Sequence, residues 1–119
     1  MAPRVLDRLR EKIREGQYLV PFHAANELDD DEISIFDVEN IILTGAIAQR
    51  QRDPWTREQK YVVRGKTLAG EPAACVAKIG PTGEVVLITA WIESRAQALW
   101  DMRLRGRAGP PRHPQLRQR

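Results

Sequence analysis

With 119 residues and a mass of 13.6 kDa, the chain is the size of one domain. Its 42% hydrophobic and 29% charged residues exclude wholesale disorder, and its longest apolar stretch, Val85–Ile92, is too short to cross a bilayer as a helix. The net charge of +3 hides an uneven layout: Met1–Gly45 carries five basic and ten acidic residues, Ala46–Asp101 eight and six, and Met102–Arg119 six arginines with no acid, which excludes a uniformly basic DNA-coating protein.

Arg4–Glu15 reads as an amphipathic helix, because Val5, Leu9 and Ile13 recur at a spacing of four with Leu6 beside them. Gly16 is placed to end it in the left-handed conformation. A second short helix is expected over Phe22–Leu28, after Pro21, and the adjacent carboxylates Asp29–Glu32 are expected to break it by mutual repulsion. Ser34 then caps a third helix, with Asp37 three residues on as an aspartate version of the capping box. Val38, Ile41 and Ile42 form its apolar stripe, and Gly45 ends it.

From Ala46 the texture becomes that of strands. Ala46–Arg52, Lys60–Lys66, Ala73–Ile79 and Val85–Ile92 are short runs rich in Val, Ile, Tyr and Trp, separated by Asp53-Pro54, Gly70-Glu71-Pro72 and Gly80-Pro81-Thr82-Gly83. Gaps this short leave no room for crossover helices, so a four-stranded antiparallel meander is expected. Ser94 can cap a last helix over Arg95–Arg105, with Ala98, Leu99 and Met102 inward. The fold class is α+β: N-terminal helices, then the meander, then a C-terminal helix. Residues 1–105 read as one domain, and 106–119 as a flexible tail rich in Arg and Pro. A single cysteine, Cys75, and a charged Met1–Lys12 without the apolar segment of a secretory signal point to a cytoplasmic protein.

Several chemistries lack their residues. Gly65-Lys66-Thr67 imitates the end of a phosphate-binding loop, but the required glycine at position 60 is Lys60. Two histidines and one cysteine cannot build a structural zinc site, and no cofactor motif is present. Asp29–Glu32 lacks the glycine and the alternating spacing of a calcium loop. Ser34 and Ser94 read as helix caps. A basic cluster remains: Arg50, Arg52, Arg57, Lys60, Arg64, Lys66 and Lys78, against Asp53, Glu58 and Glu71. Strand alternation places Arg50 and Arg52 with Ala46 and Ala48, Lys60 and Arg64 beside Val62, and Lys78 with Ala74 and Val76. Five cations on a sheet face opposite the helices would suit phosphate recognition; a solvated outer face is the alternative. His23 is either a general acid or base or a helix-start packing residue. Trp91 and Trp100 read as core or turn anchors, whereas Trp55 stands in a polar loop.

The order and spacing of His23-Ala24, Asp31-Glu32-Ile33-Ser34, Asp37-Val38, Ile42, Gly45, Lys60-Tyr61, Gly65 and Val86–Ile92, with its Thr89-Ala90-Trp91 close, resembles the bacterial domain of unknown function 4258 over about Gln17–Glu93. That family looks related to the RelE-, MqsR- and BrnT-like toxins. The resemblance implies a small helix-plus-sheet toxin fold, metal-independent endoribonuclease activity on RNA, and neutralisation by a cognate antitoxin, of zinc-finger type for the MqsR-like members; a homodimer also fits. In such a mechanism a base removes the 2′-hydroxyl proton, the oxygen attacks the adjacent phosphorus, and cations hold the developing charge. His23 would be that base or acid, Arg64 and Lys78 would bind the attacked phosphate, and Arg50, Arg52 and Lys60 would position its neighbours, with no metal and no cofactor. The alternative is a non-catalytic module of the same fold that binds protein or nucleic acid.

Overall fold

A computed structural model describes residues 4–95. The elements in order are α1 (Val5–Arg14), β1 (Tyr18–Leu19), α2 (Phe22–Asp30), α3 (Ile35–Thr44), β2 (Ala46–Arg52), β3 (Gln59–Lys66), β4 (Pro72–Ile79) and β5 (Val85–Ile92). The architecture is α+β. The sheet is mixed and five-stranded, in the order β1-β5-β4-β3-β2, which corrects the expected four-stranded antiparallel meander. β2 to β5 do form that meander, and β1 adds a parallel pair, Tyr18 with Val85 and Leu19 with Val86. Two residues are too few to show an alternation, so the sequence pattern cannot reveal β1. The Tyr18 hydroxyl donates to Glu39 on α3 and ties this short strand to the helices. The helix expected over Arg95–Arg105 and the tail 106–119 lie outside the described residues beyond Arg95; the backbone is already helical at 93–95. Among the described residues no helix is long and apolar enough to cross a membrane.

Each helix end follows from its local sequence. α1 closes as expected: Gly16 takes φ +68°, its N–H reaches Ile13 O and that of Gln17 reaches Lys12 O. α2 closes in the same way, two residues later than the acidic run suggested. Ile33 N–H bonds Leu28 O, Glu32 N–H bonds Asp29 O, and Glu32 itself holds φ +57°. Asp29 and Asp30 stay helical because their side chains are exposed to water, which screens their repulsion. In α3 the Ser34 hydroxyl accepts from Asp37 N–H at 3.0 Å and the Asp37 carboxylate accepts from Ser34 N–H at 3.0 Å, the expected reciprocal box.

The core lies between the helices and one sheet face, where Leu9, Ile13, Leu28, Val38, Ile41 and Ile42 meet Val63, Cys75, Ala77, Leu87 and Ala90. α3 lies directly on β3. At Gly65 an added Cβ would stand 2.3 Å from Ile41 O, and at Gly45 it would stand 2.2 Å from Arg64 O, so only glycine allows this approach. Arg10 of α1 donates to Ile42 O at 3.0 Å and to Gly45 O at 2.7 Å, supplying hydrogen bonds and positive charge to the C-terminal end of α3. On the opposite face Val62, Ala74 and Val76 form a smaller cluster with Ile88 and Trp91.

Candidate nucleic-acid interface

Register decides which cations share a face, since residues paired across antiparallel strands point the same way. Lys60 pairs with Lys78, and Arg64 with Ala74, in the same rows as the outer cluster. These three cations therefore lie on the face away from the helices, as expected. Arg50 and Arg52 do not, which corrects the single-face reading. The β2–β3 register slips between Ile47 and Gln49, so Ala48 is an extra residue and parity inverts beyond it. Arg50 then pairs with Tyr61, which pairs with Ala77; Arg52 pairs with Gln59, which pairs with Ile79. Tyr61, Ala77 and Ile79 stand on the helix side, and so do the two arginines.

Lys60, Arg64 and Lys78 are already engaged. Arg64 Nε lies 3.3 Å from Glu93 Oε1, with the arginine side chain 60% exposed, and Lys78 Nζ lies 3.4 Å from Glu58 Oε1. Lys60 also has a partner. Two lysines directly opposite each other on neighbouring strands repel, and Glu58 offsets that repulsion. The arrangement is that of charge-balanced surface pairs. Arg64 and Lys60 are also four residues apart along β3, about 13 Å of strand.

His23 stands apart from them. It is an exposed residue in the first turn of α2, a helix that packs against β5 and is linked to it by a Thr89–Glu27 hydrogen bond of 3.4 Å. β5 therefore lies between His23 and the strand carrying Lys78, with β3 one strand further. Neither a hydrogen bond nor an ion pair joins His23 to Arg64 or Lys78. The three residues expected to surround one phosphate are thus not gathered at one point.

The bulge instead gathers a different set, part of which sequence reasoning missed. Arg4 and Arg8 stand one turn apart at the start of α1, Arg4 beside β2 and Arg8 beside the β2–β3 turn. Arg4 shares an open cleft of ≈ 560 Å³ with Ile47 and Arg50. Arg8 lines a second cleft of ≈ 260 Å³ with Arg57, Glu58, Tyr61 and Gly80. Together Arg4, Arg8, Arg50, Arg52 and Arg57 form a seam from the start of α1 to the β2–β3 turn. Among the described residues none of these five guanidiniums has a hydrogen-bond or ion-pair partner, in contrast to Lys60, Arg64 and Lys78. Glu58 is the carboxylate in the second cleft, and Lys78 already faces it. The signal that could have found the seam is the Arg4/Arg8 spacing, which places both on one face of a helix. Only the tertiary packing shows that this face meets β2 and the β2–β3 turn.

The β2–β3 turn that carries Arg57 is rigidly built. The Asp53 carboxylate accepts from Trp55 N–H at 2.8 Å and from Thr56 N–H at 3.0 Å, while Arg57 N–H reaches Asp53 O and Asp53 N–H reaches Glu58 O, each at 2.9 Å. The Thr56 and Trp55 amides hold the Asp53 carboxyl below its usual range. Arg57 takes φ +66°, a conformation uncommon outside glycine.

Other reactive groups are scarce. Burial pushes the Cys75 thiol up to about 12, so it is not a nucleophile near neutral pH. Among the described residues no three His, Cys, Asp or Glu side chains converge as a metal would require.

The family model described as Domain of unknown function (DUF4258) matches residues 22–92. The match contains Arg50, Arg52 and Arg57 but not Arg4 or Arg8, which precede it. No curated protein and no solved structure matches the chain.

Proposed function

The chain belongs to the DUF4258 family, a domain of unknown function, and on that footing we propose that it is an RNA-binding protein of the toxin type that engages phosphate along the arginine seam between α1 and β2. The observation that carries this reading is the state of the arginines: five guanidiniums on one seam with no carboxylate partner among the described residues. Guanidinium groups suit phosphate because their planar N–H pairs match its oxygens bidentately. Unpaired, they also need not break an internal ion pair before binding. RNA is the polyanion that the toxin resemblance implies.

Cleavage is not required by this reading. The endoribonuclease alternative needs His23, Arg64 and Lys78 around one phosphate, and β5 stands between His23 and the other two. The deciding experiment measures binding and cleavage of a labelled RNA oligonucleotide side by side. Arg50→Glu with Arg52→Glu should weaken binding at least about tenfold, because two phosphate contacts become repulsions. His23→Gln should bind as the wild type does. Wild-type protein that fails to bind RNA at low salt would refute the proposal. RNA that is cut by the wild type and left intact by His23→Gln would replace it with the endoribonuclease reading.

A further inference from the structure

The β2–β3 turn displays one large aromatic side chain that the fold does not use. Trp55 is 90% exposed, the most exposed of the large apolar residues among the described ones, and it packs into neither core cluster. Its backbone is nevertheless fixed by the Asp53 carboxylate and by the Asp53–Glu58 and Arg57–Asp53 hydrogen bonds. A rigid turn thus holds an indole in water, where it gains nothing from burial. Its chain neighbours Thr56 and Arg57 line the ≈ 260 Å³ cleft that Arg8 closes from α1. That cleft is smaller than the roughly 300–1,000 Å³ typical of whole-ligand pockets, and its cations suit a phosphate group.

We propose that Trp55 is a base-stacking platform at the rim of the Arg8–Arg57 cleft, and that the protein therefore selects single-stranded over double-stranded nucleic acid. The inference rests on the RNA-binding reading above and adds to it the class of strand. An exposed indole offers a π-face to any unpaired base, whereas bases in a duplex are already stacked on one another and present only their edges. A cationic groove that follows the backbone, with an aromatic side chain beside it, is the general arrangement for binding single strands without reading sequence. Arg57 and Arg8 would hold the phosphate next to the stacked base. The remaining arginines, Arg52, Arg50 and Arg4, would follow the strand along β2.

The test is fluorescence anisotropy with a short single-stranded RNA and with the duplex formed from it and its complement. Wild type, Trp55→Ala, Trp55→Phe and Arg50→Glu/Arg52→Glu are compared, and melting temperatures verify folding. Exposure of Trp55 predicts that both Trp55 variants fold as the wild type does. The wild type should prefer the single strand, and its tryptophan fluorescence should be quenched on binding. Trp55→Ala should lose roughly 10- to 100-fold in single-strand affinity, as loss of one stacked base implies, with little change toward the duplex. Trp55→Phe should retain most of the affinity, with the quenching lost. Wild-type and Trp55→Ala protein with equal affinities and no strand preference would overturn this inference while leaving RNA binding in place. Absence of binding to either RNA would instead overturn the RNA-binding reading itself, and this inference with it.

Discussion

Gly65 sits where α3 descends onto β3, and an added Cβ there would meet Ile41 O at 2.3 Å and Thr44 Oγ1 at 2.9 Å. A carbonyl of a buried helix cannot swing aside as a surface side chain would, so the change must displace the helix. Gly65→Ala should therefore destabilise the protein by about 1–3 kcal/mol, the usual cost of overpacking, although alanine is the better strand residue. Urea denaturation of the two proteins measures the difference. Asp37 is the second residue whose effect exceeds its size. Its carboxylate accepts from Ser34 N–H and Ser34 Oγ, each at 3.0 Å, and also from Leu68 N–H at 3.0 Å, so it joins the cap of α3 to the β3–β4 turn. Partial burial pushes this carboxyl up, but the hydrogen bonds from Leu68 and Ser34 outweigh burial and leave it below its usual 3.8. A carboxyl held low in the folded state binds protons more readily when unfolded. Its stabilisation is therefore complete above the unfolded value near 3.8 and is lost as pH falls through the lower folded value. Asp37→Asn should lower stability at neutral pH by about 0.5–2 kcal/mol, as loss of a cap does. It should also flatten part of the acid limb in melting temperatures measured from pH 7 down to 2.

At the scale of elements, α2 ends on a non-glycine residue in the left-handed conformation, Glu32 at φ +57°. Only glycine occupies that region without Cβ strain, so Glu32→Gly should raise stability by roughly 0.5–1 kcal/mol, read as a higher melting temperature. An unchanged or lower melting temperature would mean that the flexibility glycine adds to the unfolded chain cancels the relief. The same helix shows what sequence patterns miss. The acidic run suggested a stop at Leu28, yet Leu28 and Ile33 are both buried, and their backbone hydrogen bond closes the helix beyond the charges. Where hydrophobic periodicity, a good cap and turn residues agreed, boundaries were legible: α3 begins after Ser34 and ends before Gly45, and β2 and β5 span the expected Ala46–Arg52 and Val85–Ile92. β1 escaped because two residues carry no period. The face of Arg50 and Arg52 escaped because alternation counts residues and cannot see that Ala48 is bulged out of register.

Across the whole molecule the sheet order separates charge. Glu27, Asp29, Asp30, Asp31 and Glu32 belong to α2 and its exit, beside β5, whereas Arg50, Arg52 and Arg57 belong to β2 and its turn at the other end of the sheet. A polyanion approaching such a molecule is repelled by one end and drawn to the other, which orients encounter before any contact forms. The segregation was partly legible as an acidic N-terminal half followed by basic strands. That the seam would be completed by Arg4 and Arg8 was not, because it depends on how α1 lies across the sheet edge. If the helix-side seam binds RNA and the paired outer-face cations do not, the salt dependence of RNA affinity will report it. Each phosphate contact removed should reduce the slope of log affinity against log salt by about 1. The slope should be negative for the wild type, about two units shallower in Arg50→Gln/Arg52→Gln and unchanged in Arg64→Gln/Lys78→Gln. A slope that keeps its wild-type value in the first variant and becomes shallower in the second would contradict RNA binding by the seam.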